Sequence, residues 1–409
     1  MDSAKVKEVV GALYDPFVKD LEWITNVNSV TGDIEGSRKI CEWLKKKIDG
    51  LGGTYDVRDN GRGCHVIARF KGKGKKKVLM VVHTDTVLGT QDGKRLFTMD
   101  DKGYAYGAGV GDCKASAVQM LYLVDAMRKL DAEDYAEMVV FFDAEEEGGS
   151  PDEMKFAREL AQQVDYAIIC DTGRPGWGVC TKRKSVGRYT ITVEGISGHA
   201  GNAPHATANA VAELGYIMTK IHKLATPITE DPKKYDTEYL KSQGIQDHGQ
   251  FIPENAVNLA VVSTTNDKFN VIPDNAMLMV EVRCYQLSEQ KRIEEEIKKI
   301  CANPTILGVT VKMEGGIGQG PMEKDEKAAK LFETYKQVVK DEYNTDVVEW
   351  VAGGLTIGNT TSEFVPTIDA VGVDVEPQYE HTLKEYTDLN TFVPRTVALV
   401  HTISKIDQM

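Results

Sequence analysis

Short apolar runs of strand length alternate with helix-period stretches through the first half of the chain, the pattern of a sheet covered by helices. The run "KVLMVV" ends at His83, "EMVVFF" at Asp143 and "DYAIIC" at Asp171. Between the first two, "KASAVQMLYLVDAMRKL" is apolar on more than one side, which predicts a helix packed in the interior. Each run gives way at once to polar residues, and in open α/β sheets the carboxyl ends of the strands are where ligands bind.

Near residue 184 the texture changes. "GRYTITVEG" alternates as a strand, and the helix that follows carries Val211, Leu214, Met218 and Ile221 as its apolar stripe. "NAVNLAVVS" and "NAMLMVEVRCY" read as two more strands, a second helix sets Ile293, Ile297 and Ile300 above a charged face, and "GVTVKME" closes the set. Strand, helix, two strands, helix, strand is a βαββαβ unit. The predicted architecture is α/β, with one domain in two parts, 1–183 and 316–409, interrupted by an inserted βαββαβ lid over 184–315.

Composition narrows the function classes. The 409 residues predict two or three domains, at roughly 150 residues each. A net charge of −13 repels a phosphate backbone and argues against nucleic acid as a partner. No window approaches the roughly 20 apolar residues of a membrane span, and Met1-Asp2-Ser3-Ala4-Lys5 leads into mixed charge, not a signal-peptide stretch. Seven cysteines, an odd number without a CxxC pair, fit reduced thiols in a cytoplasm. The lysine-rich "KGKGKKK" at 71–77 reads as a solvated turn before a buried strand.

The strand ends carry the chemistry. In "VVHTDTV", His83 and Asp85 at i and i+2 share a face, so Asp85 is placed to accept the second ring N–H while His83 binds a metal. The plain alternative is a hydrogen-bonded histidine at a strand end. In "GAGVGDCKAS", Asp112 serves either as the N-cap of the apolar helix or, having two oxygens, as a bridge between two metals. "DAEEEGGS" reads as a solvated acidic patch or, since it follows a buried strand, as carboxylates needing cations to offset their repulsion. A hydrolase also needs one non-ligand carboxylate to take a proton from metal-activated water, and neighbouring glutamates supply ligand and base. Asp171 stands at a third strand end and His381, in "QYEHTLKEY", after "AVGVDV". Together, His83, Asp112, Glu147, Asp171 and His381 offer two imidazoles and three carboxylates at one sheet edge, a donor set suited to a pair of zinc, manganese or cobalt ions.

The ordered motifs "HTDTV", "GAGVGDCKA", "AEEEGGS", "CDTG", "GISGHAGNAP", "NVIPDNAMLMVEVR", "AGGLTIGNTTSEF" and "EHTLKEY" resemble those of the co-catalytic dinuclear zinc carboxypeptidase and aminoacylase family, the bacterial glutamate carboxypeptidases most of all. The resemblance runs from about residue 20 to the C-terminus. It implies a mixed-sheet, zinc-exopeptidase-like catalytic domain with a ferredoxin-like lid that mediates homodimerisation. It further implies that Asp112 bridges two divalent ions, zinc first among them, that His83 and Asp171 complete one site, and that Glu147 and His381 complete the other. Asp85 would orient His83, Glu146 would be the general base, and His199 of the partner subunit would help hold the oxyanion. Arg283 matches the arginine that binds a substrate carboxylate, and Asn359 lines the substrate pocket.

Two departures bear on specificity. Thr84 stands between the histidine and aspartate of the first motif, and "KMEGGIG" lacks the arginine that glutamate-cleaving relatives offer to an acidic side chain. Lys182, Arg183 and Lys184, just before the lid, either compensate or are solvated. The expected function is a metal-dependent hydrolase cleaving an amide of a small carboxylate-bearing substrate, a dipeptide or N-acyl amino acid. An aminohydrolase releasing ammonia from a small carboxylate, aromatic ones included, is the alternative. His65, His205, His222, His248, His401 and Cys113 are assigned no role.

Overall fold

The computed structural model of the chain describes residues 1–227 and 254–409; His248 lies outside them. The chain divides into two compact units, Met1–Thr181 with Lys324–Trp350 and Thr356–Met409, and Lys182–Glu323 with Val351–Leu355.

The first unit is built on a six-stranded sheet in the order Thr54–Asp59, Cys64–Lys71, Glu137–Asp143, Lys77–His83, Tyr166–Ile169, Thr367–Ile368. The first two pairings are antiparallel and the rest parallel, so the sheet is mixed. Alternation along the central strand serves two cores. Val78, Met80 and Val82 face the larger one, shared with the helices Ser3–Gly11, Tyr14–Thr25, Ala115–Lys129 and Phe392–Ile403. Leu79 and Val81 face the other, where Phe156, Ala157 and Leu160 of the helix Pro151–Ala161 cover them. Helix Ala115–Lys129 is buried on nearly every side, as its sequence predicts. Parallel strands end on one edge, with His83 directly opposite Asp143.

The second unit has a four-stranded antiparallel sheet in the order Asn255–Ser263, Asn275–Cys284, Val186–Glu194, Thr310–Gln319. Taken with the helices Ala210–His222 and Leu287–Ala302, this is the expected ferredoxin-like βαββαβ unit. Its core joins Ile191 and Val193 to Leu278, Val280 and Val282 under Leu214, Ile217, Ile221, Ile293 and Ile297. Two details differ from the sequence reading. Ile217 replaces Val211 in the buried stripe, Val211 being exposed, and the last strand runs on past Glu314 to Gln319. All seven cysteines are buried and unbridged. No helix among the described residues is long and apolar enough to cross a membrane.

Candidate metal centre

Five side chains from separate stretches of the first unit meet at the parallel-strand edge. His83 is the last residue of its strand, and its Nε2 lies 2.9 Å from Asp112 Oδ1 and 3.2 Å from Asp171 Oδ1. His381, which takes the left-handed conformation at φ 59°, sets its Nε2 3.0 Å from Asp112 Oδ2 and 3.1 Å from Glu147 Oε2. Asp112 thus stands between two imidazoles, one carboxylate oxygen to each. It does not cap the apolar helix, whose N-cap position is Lys114.

Neighbouring groups fix these side chains through backbone. The nearest acceptor for His83 Nδ1 is the carbonyl oxygen of Asp85, at 3.1 Å, with the Asp85 carboxylate at 3.4 Å. That carboxylate accepts the backbone N–H of Glu146 and of Glu147, at 3.1 and 3.2 Å, and the Thr31 hydroxyl at 2.7 Å. It holds the turn bearing the two glutamates, a role the HxD spacing does not announce. Glu385, also missed in the sequence, accepts N–H from Gly109, Gly111 and Asp112 and pairs with Arg95 in the interior. The segment that delivers His381 therefore also fixes the loop of Asp112.

The donor set fits cations. With Nδ1–H donated to a carbonyl, His83 Nε2 turns a lone pair toward two carboxylates, which repels unless a proton or a metal lies between. Glu147 Oε1 is buried without a hydrogen-bond partner. Burial, and then the neighbouring carboxylates, push Glu146 well above the usual range; burial followed by Asp112 pushes Asp171 up. Burial also raises Glu147, against the hydrogen bond from His381. Burial works against an ionised Asp112, yet bonds from His381 and His83 hold it below the usual range. Those from Asp112 and Glu147 push His381 up to about 11. Negative groups outnumber positive ones here, and the upward shifts of Glu146, Glu147 and Asp171 are ones that bound cations relieve. His83, Asp112 and Glu147 bring ligand atoms within 4.8 Å of one another, as do His83, Cys113 and Asp171. The Cys113 thiol, however, donates to the His83 carbonyl, and burial keeps it protonated.

The remaining predicted residues have other partners. Asn359 is fully buried, and its side-chain carbonyl accepts the Thr356 N–H in a capping box. In the second unit, Arg283 donates from Nε to Glu281 and from Nη1 to the Gly353 carbonyl. His199, also there, is exposed, and its Nδ1 accepts the Gly201 N–H.

A mixed α/β sheet with an inserted ferredoxin-like unit, and histidines and carboxylates gathered at its strand edge, defines a metallohydrolase. The M20 peptidase dimerisation domain matches residues 181–307. Carboxypeptidase G2 of Pseudomonas sp. (strain RS-16) is 24% identical, over 92% of this chain and 86% of that protein. Succinyl-diaminopimelate desuccinylase of Ehrlichia canis (strain Jake) is 20% identical over 78% of this chain and 79% of that one. The solved structure of aminopeptidase PepT from Bacillus cereus ATCC 10987 has the same fold, with a TM-score of 0.74 at 17% identity over 96% of this chain and 98% of that one. The chain is thus similar to M20 peptidases, in sequence and in fold, over most of its length.

Proposed function

We propose that this protein hydrolyses an amide bond of a small substrate carrying a free carboxylate, a dipeptide or an N-acyl amino acid, with the aid of two divalent cations. One observation carries the reading. Of two consecutive glutamates on one turn, Glu147 is engaged by His381, while the Glu146 carboxylate has no hydrogen-bond partner among the described residues and lines a small cavity with His83 and Asp171. That division is the one between ligand and base.

His83 and Asp171 would hold one ion, Glu147 and His381 the other, and Asp112 both. Mixed imidazole and carboxylate donors favour zinc, with manganese or cobalt able to replace it. When bound, such ions polarise the amide carbonyl and bring the pKa of water from 15.7 to about 7. Glu146 accepts the proton of the attacking water and returns it to the leaving nitrogen. Arg283, with its planar bidentate fork, binds the substrate carboxylate. The dimerisation domain supports a homodimer, in which His199 of the partner subunit meets the charge developing on the carbonyl oxygen, a contribution of about 3–4 kcal/mol. The names of the relatives, a carboxypeptidase and a desuccinylase, support an amino-acid-sized substrate, and the unbridged cysteines support a reducing cytoplasm.

In Glu146→Ala, turnover of the best substrate from a panel of N-acyl amino acids, dipeptides and folate-like amides should fall by roughly 10²–10⁴-fold. Elemental analysis should still find two cations per chain. Appreciable residual turnover removes Glu146 as the base. Release of ammonia from non-peptide amines, with no acyl amino acid cleaved, replaces this reading with the aminohydrolase.

A further inference from the structure

Behind the turn that carries Glu146 and Glu147 lies a second cluster of ionisable groups, which the proposed chemistry leaves unused. His65, on the strand Cys64–Lys71, is fully buried together with Asp143 and Glu145. Its Nδ1 lies 2.7 Å from Asp143 Oδ1 and its Nε2 3.1 Å from Glu145 Oε2. A ring with a carboxylate at each nitrogen donates at both ends only as the imidazolium.

The three residues sit where the chain leaves the sheet. Asp143 ends its strand, and the oxygen that faces His65 also accepts the N–H of Ala144 at 2.6 Å and of Glu145 at 3.2 Å. The Glu145 oxygen that faces His65 takes a further bond from the Asn60 amide, which also reaches Asp152 at 3.0 Å. The imidazole stands edge-on to Phe156, with ring centroids 5.2 Å apart at 76°, so its plane is fixed by packing as well as by bonding. On the other side of the same turn, the Asp85 carboxylate holds the N–H groups of Glu146 and Glu147. Five consecutive residues, 143–147, are thus gripped from two sides.

Stability alone is a poor reason for such a cluster. Buried ion pairs are often replaced by apolar groups without loss, and Asp143 Oδ2 is left buried with no hydrogen-bond partner. We propose that His65 is a positioning residue: by tying Asp143 to Glu145 it fixes the direction in which Glu147 meets its cation and Glu146 meets the attacking water. This rests on the metallohydrolase reading of the site. Groups that orient metal ligands through one intermediate bond typically alter metal affinity or activity by 10–100-fold.

The test uses His65→Gln, which keeps one donor and much of the volume, and Glu145→Gln, which keeps the shape and removes the charge. Each zinc-loaded variant is assayed for kcat and KM on the best wild-type substrate and, separately, for the rate at which it loses zinc to a competing chelator. The expected result is a 10–100-fold fall in kcat with KM within twofold, and zinc loss faster by at least tenfold. A folded His65→Gln with kcat and zinc retention both within twofold of wild type overturns the proposal. Should that variant fail to fold, the same pair of values in Glu145→Gln overturns it. If the wild type cleaves no amide while both variants shed zinc faster, the positioning role stands and the hydrolase reading falls.

Discussion

Lys184 is a lysine with almost no access to water, its ammonium 5.0 Å over the Tyr285 ring. The sequence leaves it either as an aid to specificity or as a solvated side chain; the structure buries it. Burial pushes its pKa down to about 8, against about 10.4 for a free lysine. Below pH 8 the folded and unfolded chains both hold the proton, and the desolvation cost is constant. Between pH 8 and 10.4 the unfolded chain binds more protons than the native one, so stability gains with rising pH. The stability of Lys184→Met relative to wild type should therefore fall as the pH rises from 7 to 10. Urea midpoints at the two pH values check this, and a pH-independent difference excludes it. The side chains gathered at the sheet edge were legible because His83, Glu147, Asp171 and His381 come after apolar runs whose ends the hydrophobic pattern locates, and Asp112 stands just before the apolar helix. Asp85, Glu385 and His65 were not legible in their roles. They bond to partners 54 to 290 residues away in the chain, and such pairings leave no period in a sequence.

In the helix Ala210–His222, both Val211 and Ile217 are apolar, and spacing alone does not say which one faces the sheet. The structure buries Leu214, Ile217 and Ile221 and leaves Val211 in solvent, because the stripe that meets Ile191 and Leu278 starts from Ala210. Leu214→Ala should cost about 2–5 kcal/mol, whereas Val211→Ala should stay within about 0.5 kcal/mol. Denaturant unfolding of the two variants decides between the stripes, and equal losses would restore the sequence-based one. The strand Thr310–Gln319 was read short for a related reason. Gly315, Gly316 and Gly318 have poor strand propensity, yet pairing continues through Gly315 opposite Tyr189 and Ile317 opposite Gly187. At Gly315, with φ +100°, a Cβ would fall 2.1 Å from the Arg188 carbonyl oxygen. The glycine that hides the strand from a propensity reading is what allows the two backbones to approach.

The two units have separate cores, two on the faces of the mixed sheet and one in the ferredoxin-like unit, while every residue of the candidate metal centre belongs to the first. Cation binding should therefore be coupled to the unfolding of that unit and not of the other. A ligand that binds only the folded state at 100 times its Kd stabilises by about 2.7 kcal/mol. For a unit of 150–250 residues, each kcal/mol moves Tm by about 2–4 °C. The sign follows from the site itself: with the ions gone, Asp112, Glu146, Glu147 and Asp171 face one another in the interior with only the imidazoles His83 and His381 to offset them. In scanning calorimetry, a chelator should lower the transition of the first unit by about 5–10 °C and leave that of the second in place, and added zinc should reverse the shift. A transition of the first unit that ignores chelator, or a shift confined to the second, would mean that the clustered carboxylates are stabilised without cations, and the metal-dependent reading of the site would lose its physical basis.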